Sequence, residues 1–397
     1  MSYKIILFQP YLRKHILNFG KYLRRFKFVV KKPTSGNFYK TQLPTYDKEI
    51  NRVKVSRINQ LRRFFGIPNI RVKFGKNEEV FFTYGCLLFT NRPYFIYIEN
   101  GVALYNYDTR IASHPISRML FSFLVRRKNL KKLIFMSEAG RKSFLASAPY
   151  SRSTRNVVQK KSTQIYPLIE KKEIVPKEFS GTLRLLFVGM FYIKGGEELF
   201  RAFQRIRETY TNVELSIITP LHTIKNSDIE TMQGTRGLHL LDANFNEDQM
   251  TELYKNHDLF LLPTYRDGFG LVLVEAISWG MPIICTDQYA TTEVALHEYN
   301  AFVYPNHPLK DYDPETYKLF GKYYNPKDFY KDLFRFQQEG RLQPIENFLV
   351  TSIKRYLDNP DLLKEYSKNS LELYEKKFSA DKISAQIESV FEEALKR

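Results

Sequence analysis

Cysteine is scarce: the chain has two, Cys86 and Cys285, in 397 residues. Two thiols set far apart cannot build a disulfide framework or a zinc cluster. They point to a reducing compartment and to a pair of small buried hydrophobes. Long apolar runs are missing too. No stretch approaches the roughly 18 uninterrupted apolar residues that a spanning helix needs. The start, MSYKIILFQPYLRKH, has one Lys before a short apolar patch and no small-residue cleavage site. It reads as a strand, not as a signal peptide. The seven histidines, from His15 to His307, lack metal-ligand spacing, so neither a metal nor a resident cofactor is expected. No helix-turn-helix, RRM or zinc-finger pattern occurs, and nucleic acid is not an expected partner.

Acidic residues are short in one half. Residues 1–180 hold 36 Lys and Arg against 10 Asp and Glu, and the remainder holds 25 against 32. A strongly basic half beside a mildly acidic one implies an anionic partner for the first, with a membrane surface or a phosphorylated acceptor among the choices. The segment 11–32 carries Leu12, Ile16, Phe19, Leu23 and Phe26 at steps of four and three, among many cations. That stripe predicts a basic amphipathic helix. It is either the first crossover helix of a nucleotide-binding half or a surface that touches anionic lipid through Arg24, Arg25 and Lys27.

What the sequence does contain is a well-punctuated stretch from Leu259 to Val303. An apolar run, 259–262, is closed by Pro263. A loop follows with Gly268 and Gly270 at its end, then an apolar segment to Trp279, a stop at Gly280-Met281-Pro282, and a second apolar run, 283–285. This is strand, glycine-rich loop, helix, strand: one βαβ unit of a parallel sheet. Ligands of such sheets sit beyond the carboxyl ends of the strands, here at the 267–270 loop. The glycines let backbone N–H groups come close to a ligand, and the first N–H groups of the next helix are unpaired and lie at its positive end. A diphosphate fits there. Asp267 and Glu275 would repel phosphate, which assigns them to hydroxyl groups of a ribose or a sugar.

The run Asp267-Gly-Phe-Gly-Leu-Val-Leu-Val-Glu275 resembles the acid-x7-Glu signature of glycosyltransferase family 4 and related retaining GT-B enzymes, with Asp267 in place of the usual Glu. The resemblance continues through Gly280-Met281-Pro282, Thr286-Asp287, Glu293 and Asn300, and upstream through Leu185-Leu-Phe-Val-Gly189 and Lys194-Gly195-Gly196. It implies an α/β chain with two Rossmann-like domains, their parallel sheets facing a central cleft. Residues 1–178 would form the acceptor domain and 179–378 the donor domain, and a helix over 379–397 would return to the first. The implied reaction is retaining transfer of a sugar from a nucleotide-sugar donor to a lipid-linked or polysaccharide acceptor at the cytoplasmic membrane face.

In this reading Gly189, Lys194 and Gly195, with the backbone of Gly268, Phe269, Gly270, Leu271 and Val272, hold the diphosphate. Asp267 touches the transferred sugar and Glu275 the ribose. Pro220 and Ala243 wall the base. Asn100 stands where the family often has a His after a strand of this kind; it either serves the reacting sugar or, with Gly101, only makes a turn. The family's usual Arg beside Gly189 is absent, which leaves Arg266 as a further cation. No protein nucleophile is implied. A GT-B nucleotide-sugar epimerase and a non-enzymatic basic binder of nucleic acid or membrane are the alternatives. The sequence further predicts an exposed loop over 151–161, a last first-domain strand over 165–169, an irregular connection over 33–60, a linker at Lys171, Lys172 and Pro176 to Gly181, and an insertion over 306–344.

Overall fold

Short runs rich in Ile, Val, Phe and Tyr favour extended backbone, because branched and aromatic side chains pack well on a pleated surface. In the computed structural model, which describes residues 3–8, 14–30, 57–170, 172 and 174–396, these runs form fourteen strands among the described residues. Those of the first half are β1 (Lys4–Leu7), β2 (Lys27–Val30), β3 (Ile70–Val72), β4 (Glu79–Tyr84), β5 (Leu87–Phe89), β6 (Tyr94–Ile98), β7 (Leu130–Phe135) and β8 (Ser162–Gln164). The second half has β9 (Leu183–Val188), β10 (Val213–Thr219), β11 (Leu238–Asp242), β12 (Leu259–Leu262), β13 (Ile283–Thr286) and β14 (Ala301–Tyr304).

Two six-stranded parallel sheets result, ordered β2-β1-β4-β6-β7-β8 and β11-β10-β9-β12-β13-β14, with β3 and β5 paired apart. Central strands β6 and β12 are buried along their whole length, as a sheet covered on both faces requires. In the second sheet the chain builds outward from β9 to β11 and then returns to lay β12 on the other side of β9. The crevice of such a sheet lies at that reversal, between the carboxyl ends of β9 and β12.

The final helix, Ala380–Lys396, crosses back and packs on β7 and on the helix Lys14–Tyr22. Its Phe391 ring lies 4.5 Å from Phe95, 5.9 Å from Phe82 and 5.5 Å from Phe26. The two passages of the chain between the lobes touch: Tyr374 donates to the Ile169 carbonyl at 2.9 Å, and the Tyr166 and Phe378 rings are 4.6 Å apart. Both thiols are buried and free. Burial pushes Cys86 up to about 12 and raises Cys285 as well. Among the described residues no helix is long and apolar enough to cross a membrane.

Several expectations are corrected. The amphipathic helix does not run on to residue 32. It ends at Tyr22, because the Phe28-Val29-Val30 run pairs in strand with β1 and Phe26 turns onto Phe391. Leu12 and Arg13 lie outside the described residues. Residues 152–161 are a helix, not a loop: Ser151 caps it by accepting from the Thr154 N–H, and Thr154 and Val158 bury one face. The last strand of the first sheet is 162–164, not 165–169, where Pro167 has no N–H for a ladder. The connection predicted over 33–60 lies outside the described residues except for 57–60, which begin the helix Arg57–Phe64. Lys171 is also outside them.

Candidate functional site

The reversal between β9 and β12 explains why residues 73 apart in sequence meet. Lys194 ends the loop after β9 and Asp267 lies in the loop after β12, and their side chains pair at 2.6 Å. The Lys194 ammonium also donates to the Arg266 carbonyl at 2.7 Å. Gly195, with φ of +73°, opens the helix Gly196–Arg207; a side chain there would run into the Pro263 carbonyl at the end of β12. Glycine at this point therefore lets the two loops close on each other. Gly189 ends β9 beneath Lys194 and donates to the Ile218 carbonyl at 3.0 Å.

Asp267 organises its own loop. Its Oδ1 accepts from the Gly270 N–H at 2.7 Å and from Phe269 at 3.1 Å. Burial alone would raise its pKa, but the Lys194 ammonium and these two donors outweigh burial and hold the carboxyl below its ordinary value. This corrects the reading of Phe269 and Gly270 as phosphate donors, since their N–H groups already serve Asp267. Leu271 and Val272, in the first turn of the helix Leu271–Ser278, keep N–H groups with no partner inside the helix.

Two hollows flank this loop. The first, about 380 Å³, is lined by Lys194, Arg266, Asp267 and Gly268 of the second domain and by Glu99 and Asn100 of the first. Glu99 Oε2 accepts from Tyr84 at 2.6 Å and from Tyr107 at 3.1 Å, and any side chain on Gly268 would overlap its carboxylate. The lobes meet there with backbone against carboxylate. Asn100 uses its Oδ1 to accept from the Val102 N–H at 3.0 Å, the turn-forming bond expected of Asn before Gly. The second hollow, about 510 Å³, holds Leu271 and Glu275, with Phe245, Asn246 and Trp279 around them and His15 and Asn18 across from them. Tyr254 donates to Glu275 at 3.1 Å. Glu275 and Lys194 thus line different hollows, separated by the glycine loop.

Other predicted residues fall elsewhere. Pro220 and Ala243 end β10 and β11, joined through the Ala243 N–H to Thr219 carbonyl bond of 3.1 Å, and line neither hollow. In the loop after β11, Phe245 and Asn246 face the second hollow, and Glu247, Met250, Thr251 and Tyr254 of the following helix continue its wall. Asn246 is legible in sequence only as a helix cap, a role it also has. Arg24 and Arg25 do not ride on a helix. Their backbone N–H groups donate to Glu388 Oε1 at 2.6 and 2.7 Å, and the Arg25 guanidinium reaches Glu392 at 3.1 Å. Lys27 opens β2.

Sequence reasoning missed much of the first hollow's wall. Tyr265, Gln288 and Tyr289 line it. His307 donates to Gln288 Oε1 at 2.7 Å, and burial lowers that imidazole to about 3, so it stays neutral and fixes the amide. Asp311, Tyr312, Tyr323 and Tyr324, from the segment read as an insertion, complete the wall. Tyr324 is clasped by the Arg63 and Arg110 guanidiniums, each 4.4 Å from its ring, and the Leu319 N–H donates to Ser147 at 3.0 Å. The segment therefore straps the second domain to the first.

Residues 182–315 match the family model described as Glycosyl transferases group 1. An uncharacterized glycosyltransferase, MJ1607, of Methanocaldococcus jannaschii is 32% identical over 128 residues, 31% of this chain and 32% of that protein. The capsular polysaccharide biosynthesis glycosyltransferase CapM of Staphylococcus aureus is 28% identical over 111 residues, 28% of this chain and 29% of that one. The matches thus span about a third of the curated relatives' length. Among solved structures, Anabaena Alr3699/HepE in complex with UDP superposes with a TM-score of 0.60 at 13% identity, covering 98% of this chain and 100% of that one. The chain accordingly has the GT-B fold of two Rossmann-like domains, and its similarity to group 1 glycosyl transferases is concentrated in the second.

Proposed function

We propose that the protein is a retaining glycosyltransferase of the hexosyl-transferring type. It moves a sugar from a nucleotide-sugar donor to a lipid-linked or polysaccharide acceptor at the cytoplasmic face of a membrane. The observation that carries this reading is the Lys194–Asp267 pair at the sheet reversal, beside the positive end of the helix Leu271–Ser278 and one turn before Glu275. The donor lies across the glycine loop. Its nucleoside occupies the second hollow, with the ribose hydroxyls on Glu275 and the base near Phe245 and Asn246. Its diphosphate crosses the loop onto Lys194, Arg266 and the Leu271 and Val272 N–H groups. Its sugar enters the first hollow beside Asp267 and faces Glu99 and Asn100.

The chemistry needs no protein nucleophile. The bond from the anomeric carbon to the diphosphate oxygen breaks, and the acceptor oxygen bonds to that carbon from the same face. The acceptor proton passes to the departing phosphate. Lys194 turns from Asp267 to the growing phosphate charge, where fixed cations and helix N–H groups contribute most to the rate. The strap from the 306–344 segment keeps bulk water from the first hollow.

A calorimetric screen against UDP, GDP and ADP tests this reading, with UDP first because the Anabaena neighbour was solved with it. One nucleotide should bind the wild type. Glu275→Ala and Lys194→Ala should each weaken it about tenfold or more, the loss of one charge-assisted contact. Equal affinity in all three proteins rejects the assignment.

A further inference from the structure

Of the fourteen large hydrophobic side chains exposed among the described residues, eleven fall between residues 61 and 123, and all of these but Tyr107 lie outside the first hollow. A monomer scatters such residues over its surface, so this concentration marks a face that something else covers. The helix Pro115–Arg126 shows how it is built. Phe121, Leu124 and Val125 face the core, while Ile116, Met119 and Phe123, at spacings of three and four, point outward. Met119 is 63% exposed and Phe123 54%.

The neighbouring elements extend the same surface. The Arg127 guanidinium lies 4.9 Å from the Phe89 ring and 5.7 Å from Phe123, joining this helix to β5. Phe89 pairs in register with Val72 of β3, which is 64% exposed. At the other end Gly66 packs against His114, the residue that caps the helix, which brings in Leu61, Phe64 and Phe65. Phe64 is 76% exposed.

Charge identifies the occupant. Residues 57–132 carry 14 Lys and Arg against 4 Asp and Glu. Of the four acids, Asp108 is buried between Arg63 and Arg110, Glu79 is buried, Glu99 faces the cleft, and Glu78 alone is exposed to solvent. The outer face is thus apolar knobs set among cations. Like charge disfavours pairing with a second copy of itself. Aliphatic Leu61, Val72, Ile116 and Met119 cannot stack on nucleic-acid bases as aromatic platforms do. Hydrocarbon beneath anionic headgroups suits both features.

We infer that the face formed by the helices Arg57–Phe64 and Pro115–Arg126 with β3 and β5 docks on an anionic phospholipid surface, inserting Phe64, Met119 and Phe123 while the flanking cations meet phosphate. This deepens the membrane part of the proposed function. It moves the contact away from Arg24, Arg25 and Lys27, and it stands on surface chemistry alone. Sedimentation of the full chain tests it, with vesicles of phosphatidylcholine and of an equimolar phosphatidylcholine–phosphatidylglycerol mixture. The protein should pellet with the anionic vesicles only. The exposed double variant Met119→Glu/Phe123→Glu should lower that binding about tenfold or more, with its melting temperature and nucleotide affinity unchanged. Arg24→Ser/Arg25→Ser should bind vesicles as the wild type does.

Equal binding to neutral vesicles, or undiminished binding by the double variant, overturns the inference. So does a double variant that instead loses self-association or the shift of a nucleic-acid duplex. Nucleotide affinity is read on the same proteins. A chain that pellets but binds no nucleotide leaves the lipid face standing and removes the transferase, and the opposite result does the reverse.

Discussion

Asp267 serves three partners, the Lys194 ammonium and two backbone N–H groups, so its ionisation is tied to the shape of the whole loop. Its folded pKa lies below the ordinary 3.8. A depressed carboxyl stabilises the fold in full above its unfolded value and loses that contribution as pH falls through the folded one. Asp267→Asn should therefore cost roughly 1.5–3 kcal/mol near neutrality, as for hydrogen bonds to charged groups. Its deficit against the wild type should shrink once the pH drops below 3.8. Urea unfolding at a series of pH values checks this, and a constant deficit across the series contradicts it. At the same scale, Glu99 and Gly268 restrict each other. The carboxylate fills the space a side chain at 268 would need, which accounts for the glycine without any appeal to φ.

Among the elements, the last helix has the largest structural consequence. Phe391 is fully buried among Phe95, Phe82 and Phe26 of the opposite domain. Phe391→Ala should destabilise the protein by about 3–5 kcal/mol, read as a lower midpoint in denaturant, because a large ring leaves a cavity that an aromatic cluster cannot collapse into. The βαβ unit from β12 to β13 was legible in sequence because Pro263 and Pro282 punctuate its apolar runs and glycines mark its turn. The place of Lys194 was legible through its glycines. The adjacency of β9 and β12 was not, since register between Leu185 and Leu259 is set by crossovers that leave no local trace. The strap over 306–324 was hidden for the same reason: its Tyr324 gains meaning only from Arg63 and Arg110, far away in the chain. The helix over 11–32 was overread because a period near 3.6 continues by chance into residues that pair better as strand.

At the scale of the molecule, Glu293 is a further link between the lobes. Its carboxylate accepts from the Glu138 and Ala139 N–H groups at 3.1 and 2.8 Å and from Tyr166 at 2.9 Å, so a side chain of one domain caps a helix of the other. Glu293→Ala should cost about 1–2 kcal/mol, the usual loss for a helix cap. Small-angle scattering should show a larger radius of gyration, since the lobes part where the cap is lost. An unchanged radius would mean that the strap and the returning last helix hold the lobes together without this cap.

The two passages between the lobes, touching at Tyr374 and Ile169, have a mechanical consequence. A body tied to another by two neighbouring strings can swing about the line they share, but it can neither twist freely nor drift away. One proteolytic nick at either passage leaves the other string intact. The protein should therefore keep its lobes in one particle after limited digestion, and any opening that releases the strap and the Glu293 cap should turn about that shared line like a book on its spine.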